Sequence, residues 1–231
     1  MNLRAALLLA ATGISLTETA RAQDTKLQYS YVEFGFTLGI PDQSSLYLFD
    51  PDFGELTADV GESAVFDIKG SYLLNEYFFA EASIDLVKQD ATFADDFSSL
   101  TVDYNTTVYS FGIGARFPLV DNVDAYGVLG FAKLDRDVSP DELENPGADN
   151  DGFTYRLGLR ARATEMIELG VAYEKYDITD AYGDLNIGEA ALKDGVGAEL
   201  RFHLNPQFSL GLNLDKSDDV TNIGAGARFG F

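Results

Sequence analysis

Residues 153–174 read FTYRLGLRARATEMIELGVAYE. Phe153, Tyr155, Leu157, Leu159 and Ala161 alternate with Thr154, Arg156, Gly158, Arg160 and Arg162, so one face is apolar and the other carries arginines. After Thr164-Glu165-Met166 the alternation resumes, with Leu169, Val171 and Tyr173 against Glu168, Gly170, Ala172 and Glu174. A period of two is the mark of a strand with two unlike surfaces. Two such runs joined by a short polar turn predict an antiparallel hairpin. Closing Ala163 on Ile167 sets Arg162 opposite Glu168 and Arg156 opposite Glu174, with Leu159 facing Val171 and Leu157 facing Tyr173. Opposite charges then meet on one surface and apolar groups on the other, as stable cross-strand pairing requires.

Similar runs occur at 32–39, 64–72, 78–86, 109–117, 123–134, 195–204, 208–214 and 223–231, which makes ten predicted strands. The glycine-rich run 123–134 leaves its two faces unassigned. The links 74–76, 118–122, 164–166 and 205–207 are short, whereas 41–62, 89–103, 136–151 and 178–189 are long and 215–219 is tight. A soluble sandwich turns its apolar face inward. A transmembrane barrel turns it to lipid and encloses glycine and charge. Alternation does not separate the two, but short turns at one end and long loops at the other belong to the membrane barrel. The expected fold is therefore all-β, an up-and-down antiparallel transmembrane barrel of ten strands, with eight as the alternative. The same register arithmetic around Asn75 sets Lys69 opposite Glu81 and Ile68 opposite Ala82. Around residue 206 it sets Phe202 opposite Leu210 and Leu200 opposite Leu212.

Composition agrees. The chain has 231 residues with 16 Lys+Arg, 38 Asp+Glu, one His and no Cys, for a net charge of −22. That charge argues against nucleic acid, whose partners carry basic patches. Absence of Cys removes disulfides and thiolate metal sites, and one His cannot build an imidazole cluster. The five long-end links hold 22 acidic residues against Arg136 and Lys216, so nearly the whole imbalance lies there. The strands are close to neutral, as an enclosed lumen demands. At the N-terminus, Arg4, the apolar run Ala5–Leu16 and Ala20-Arg21-Ala22 follow the order of a secretory signal peptide, cleaved after Ala22. The expected organisation is a signal peptide over 1–22 and an outer-membrane barrel over 23–231.

The inward faces supply the candidate site. Lys69, Glu81, Arg156, Arg160, Arg162, Glu168, Glu174, Glu199 and Arg201 are expected to form a charge network in the lumen, with Glu33, Asp67, Asp85 and Arg116 also aimed inward. The lone His203 has no visible nucleophile or base constellation, so it reads as a hydrogen-bonded filler and no enzyme is expected. Asp50, Asp52, Asp149 and Asp151 offer oxygen ligands for Ca²⁺ without the spacing of a calcium loop, so no metal or other cofactor is expected. A ten-stranded lumen lies near the size that side chains fill. Two function classes follow: a structural or surface-interaction barrel with a narrow charged lumen and acidic extracellular loops, or a small porin-like channel for ions or small solutes.

The chain ends IGAGARFGF at 223–231, an alternating strand with aromatic Phe229 and Phe231. This resembles the C-terminal signal of Gram-negative outer-membrane barrels that the barrel-assembly machinery reads. The hairpins at 154–177 and 195–219 look like those of small OmpA/OmpX-type and porin-family barrels. The resemblance implies surrounding outer-membrane lipid and lipopolysaccharide, periplasmic chaperones and the assembly machinery as partners, and a monomer. Those families usually have eight strands, against ten here, and no peptidoglycan-binding domain is expected after the barrel.

Overall fold

The computed structural model describes residues 27–42, 45–50, 54–94, 99–139, 150–178, 195–217 and 220–231. Twelve strands are described: β1 (Tyr31–Pro41), β2 (Ser45–Asp50), β3 (Gly54–Val60), β4 (Ser63–Leu73), β5 (Phe78–Ala94), β6 (Ser99–Val120), β7 (Val123–Ser139), β8 (Asn150–Arg162), β9 (Ile167–Ile178), β10 (Gly195–His203), β11 (Phe208–Ser217) and β12 (Val220–Gly230). β1 pairs with β4 on one side and β12 on the other, and β4 through β12 pair in sequence order, every pair antiparallel. The β5–β6 pairing closes this set into a ten-stranded cylinder. Closure leaves no wall strand with a free edge, so the backbone needs no water partner in lipid. Ten strands about 4.8 Å apart and tilted by about 40° give a wall roughly 20 Å across.

The alternation decides which side meets lipid. Phe153, Leu157 and Leu129 are 72%, 61% and 75% exposed on the outer surface, while Arg201 is 1% exposed inside. The run 123–134 now has faces: Asp124, Val128, Ala132 and Leu134 are buried in the lumen, and Leu129 and Phe131 point out. The expected count of ten wall strands holds.

Two long links are shorter than expected. The 41–62 link contains β2 and β3, a hairpin whose β3 continues the upper end of β5 from Thr57↔Ala94 to Val60↔Ala91. The 89–103 link is mostly ladder, since β5 and β6 stay paired out to Ala94↔Ser99. The cause is a phase change in the alternation. From Ala80 to Leu86 the apolar residues face out; from Val87 they face in, with Ala91 buried and Lys88 and Asp90 exposed. Beyond the bilayer the outer surface meets water, so polar residues belong there.

That inversion fills part of the interior. Val65, Val87, Val108, Ala132 and Leu134 form a buried cluster inside the wall, with Tyr176 packed on it. Val60 and Ala91, with Phe93 and Tyr104, continue it toward the long-link end.

The β8–β9 and β10–β11 registers are as expected, including Arg162↔Glu168, Arg156↔Glu174 and Phe202↔Leu210. The β4–β5 register is not: Lys69 faces Ser83 and Ile68 faces Ile84, a shift of one residue in the turn centre. The reason is local. Asn75 Oδ1 accepts from the Tyr77 and Phe78 amides at 2.8 and 2.9 Å, so the turn centres on Glu76. The same cap recurs at Asn205, whose Oδ1 accepts from Gln207 and Phe208 at 2.9 and 2.8 Å. Side-chain oxygens that mimic a backbone turn explain both.

Candidate functional site in the barrel lumen

Charged side chains leave the wall from nine strands and meet inside it. Arg201 on β10 reaches across to Glu33 on β1 at 2.6 Å, pairs with Glu199 on its own strand, and donates to Ser209 Oγ at 3.3 Å. Glu33 also holds Arg228 of β12 at 2.7 Å. Arg156 on β8 pairs with Glu81 on β5, and Glu81 also lies 3.7 Å from Lys69 on β4. Nearer the short turns, Arg160 pairs with Glu168 at 2.6 Å, His203 Nε2 is 3.1 Å from the other Glu168 oxygen, and Arg116 meets Asp124 at 2.9 Å.

The geometry replaces one of the three expected ion pairs and changes the register of another. Lys69 and Glu81 interact, but diagonally, because the register places Ser83 opposite Lys69. Arg162 lies opposite Glu168 as expected, yet Glu168 is held by Arg160 and His203, and Arg162 donates to the Glu165 carbonyl at 3.2 Å. Arg156 and Glu174 are 3.5 Å apart, a looser contact than the one Arg156 makes with Glu81. Several bonds therefore run as chords across the lumen rather than between neighbouring strands. A tilted, closed wall brings residues from separate hairpins to one depth, which pairwise arithmetic does not contain.

Glycines make room for this. A Cβ on Gly35 would lie 2.2 Å from Asp67 Oδ1, and one on Gly114 would lie 2.1 Å from the Phe79 ring. Both side chains lean over bare backbone into the interior.

What space remains is a cavity of about 180 Å³. Tyr29, Phe79 and Arg160 line it near the short turns, and Lys216 and Ser217 line it near the long links. A second space of about 60 Å³ lies between β4, β5, β8 and β9, and Lys69, Glu81, Arg156 and Glu174 border both. At the rim Lys216 binds Asp42, which keeps that carboxyl below its usual range.

Arg228, Asp124 and Tyr29 are among the interior residues that the sequence did not single out. Arg228 stood on the alternating inner face of the last strand, so its signal was present. Asp124 was hidden by the unassigned faces of its strand. Tyr29 precedes the first strand, and only the Tyr29-Tyr31-Glu33 spacing hinted at it. The signal-peptide residues Ala20 and Ala22 lie outside the described residues, as do Asp52 and Asp149 and the side chain of Asp50. Asp151 pairs in register with Lys133, and among the described residues no three carboxylate or imidazole groups converge on a metal position. Phe229 is on the outer face of β12, and Phe231 follows its end.

A closed strand cylinder with an apolar exterior and a charged interior is an integral membrane β-barrel. The chain matches the outer membrane protein beta-barrel domain over residues 6–229; it belongs to that family and is a protein of the outer membrane. No curated protein matches it in sequence. Among solved structures it is similar to the NanC porin, at 10% identity over 86% of this chain and 100% of that one, with a TM-score of 0.45. It is also similar to the translocator domain of the autotransporter NalP from Neisseria meningitidis, at 14% identity, 99% and 98% coverage and a TM-score of 0.42. A third likeness is to Ail, the attachment invasion locus protein of Yersinia pestis, in complex with the heparin analogue sucrose octasulfate: 18% identity, 88% and 100% coverage, TM-score 0.33.

Proposed function

We propose that this protein is a structural or surface-interaction barrel, with a lumen locked by charge and acidic links that face the cell exterior. The observation that carries the reading is the set of chords, above all Arg156–Glu81 and Arg201–Glu33, each of which joins strands three places apart around the wall. Such pairs leave little width for a hydrated solute, and the Val65–Leu134 cluster fills more of the interior. The reading includes no catalysis, since Glu168 engages His203 and Arg160 together. It also includes lipid and lipopolysaccharide around the wall, delivery by periplasmic chaperones, insertion by the barrel-assembly machinery, and a monomer.

The test is conductance in planar bilayers. The expected result is a unit conductance far below that of a wide porin. A large conductance in the unmodified protein would overturn the reading. It would favour the second one, a small porin-like channel, for which the cavity of about 180 Å³ with its charged lining residues speaks.

A further inference from the structure

We infer that residues 27–30 are a built-in stopper that closes the lumen at its short-turn end, and that displacing them turns a blind cavity into a through-channel. The inference rests on the reading of the lumen as a narrow charged space.

β1 begins at Tyr31, and the four residues before it turn into the barrel instead of extending the wall. Leu27 and Tyr29 are 5% and 3% exposed. They pack with Phe79 of β5 and Val128 of β7, against Leu73 of β4 and Tyr126 of β7, so they reach the far wall. The Tyr29 and Phe79 rings lie 4.9 Å apart, and the guanidiniums of Arg116 and Arg160 sit over the Tyr29 ring at 4.8 and 4.7 Å. Cations over an aromatic face are attracted to it, more so away from water.

Main-chain ties fix the segment from three sides. Ser71 Oγ donates to the Tyr29 carbonyl at 2.8 Å, and the Leu73 amide donates to Ser30 Oγ at 3.0 Å. Arg160 donates to the Gln28 carbonyl at 3.1 Å, and the Phe231 amide to the Ser30 carbonyl at 3.1 Å. The segment thus spans from β4 to β8 and to the residue that follows β12. Tyr29 is also where the main cavity ends, the opposite end being at Lys216 and Ser217. Four residues held by side chains and single bonds, with no strand ladder of their own, form a unit that can leave while the wall stays closed.

Two measurements test this. The chain has no cysteine, so a single introduced thiol reports one position. In the refolded barrel, Leu27→Cys should resist a membrane-impermeant maleimide, reacting at least tenfold more slowly than Gln207→Cys in an exposed turn. In planar bilayers, the pair Leu27→Gly and Tyr29→Gly should raise unit conductance several-fold over the unmodified protein, with heat-dependent gel mobility confirming a folded barrel. Equal labelling at the two positions would overturn the stopper even if the glycine variant failed to fold. Equal and small conductance in both folded proteins would overturn it while leaving the charge-filled lumen standing. A large conductance in the unmodified protein would overturn the stopper and the charge-filled reading together, because a lumen closed at one end does not conduct.

Discussion

Glu33 accepts from Arg201 at 2.6 Å and from Arg228 at 2.7 Å, and the two cations are almost fully buried. Removing a carboxylate from such a site leaves the buried guanidinium charge to Glu199. Glu33→Gln should therefore lower stability by about 3–5 kcal/mol. The measurement is a urea midpoint followed by far-ultraviolet circular dichroism in detergent. A loss below about 1 kcal/mol would mean that water already solvates the pair. The Arg156 site gives a finer test, because its two carboxylates differ. Glu81 grips Arg156 and also lies near Lys69, whereas Glu174 stands 3.5 Å away and is more exposed. Glu81→Gln should cost about 3 kcal/mol, as a broken buried pair does. Glu174→Gln should cost at most about 1 kcal/mol, closer to an exposed pair. The reverse order would contradict the chord geometry.

Strand length is the next level at which the sequence acts. β6 has 22 residues, about twice the 9–11 needed to cross a bilayer. It projects beyond lipid together with β5 and β7, which have 17 residues each. A single substitution made at two depths reads this out. Leu159 on β8 lies on the outer face within the apolar band, so Leu159→Arg should cost about 2–4 kcal/mol. Thr101 is exposed on the far part of β6, and Thr101→Arg should stay within about 0.5 kcal/mol. Equal costs at both sites would mean that the lipid band is misplaced. Inside the wall, Gly114→Leu would drive a side chain into the Phe79 ring. Overpacking of that kind costs about 1–3 kcal/mol, and it should appear in the same denaturation midpoint.

At the scale of the molecule, the ten wall strands put the short turns and residues 27–30 at one end and the β2–β3 hairpin at the other. Protease added to intact cells should cut within 136–151 and spare the turns at 164–166 and 205–207. Cleavage of those turns alone, and only after the outer membrane is broken, is the expected behaviour of the periplasmic end. Cutting from outside at 205–207 would reverse the orientation. Assembly offers a second test. Phe231 follows the outward Phe229 and ties to Ser30 through its amide. Deleting it should reduce the inserted fraction, measured by heat-dependent mobility, without blocking export across the inner membrane. Insertion at wild-type yield would remove Phe231 from any assembly signal.

The wall was legible in the sequence because its rules are local. Period-two alternation placed Leu157, Leu159, Val171 and Tyr173 outside without reference to any distant residue. A turn whose first residue captures two amides fixes the register beside it, as Thr164 does for Met166 and Ile167. Even the β4–β5 error was avoidable, since Leu74-Asn75-Glu76-Tyr77-Phe78 repeats the pattern of Leu204-Asn205-Pro206-Gln207-Phe208 and so centres one residue later than Asn75. The sequence also determined that charge lies inside the wall. It did not determine which charges meet. Arg156 takes Glu81, Arg201 takes Glu33, and Tyr29 settles between Phe79 and two guanidiniums only when the tilted wall closes on itself. Those partners are set by depth along the barrel axis, a quantity that exists once the tenth strand has joined the first and not before.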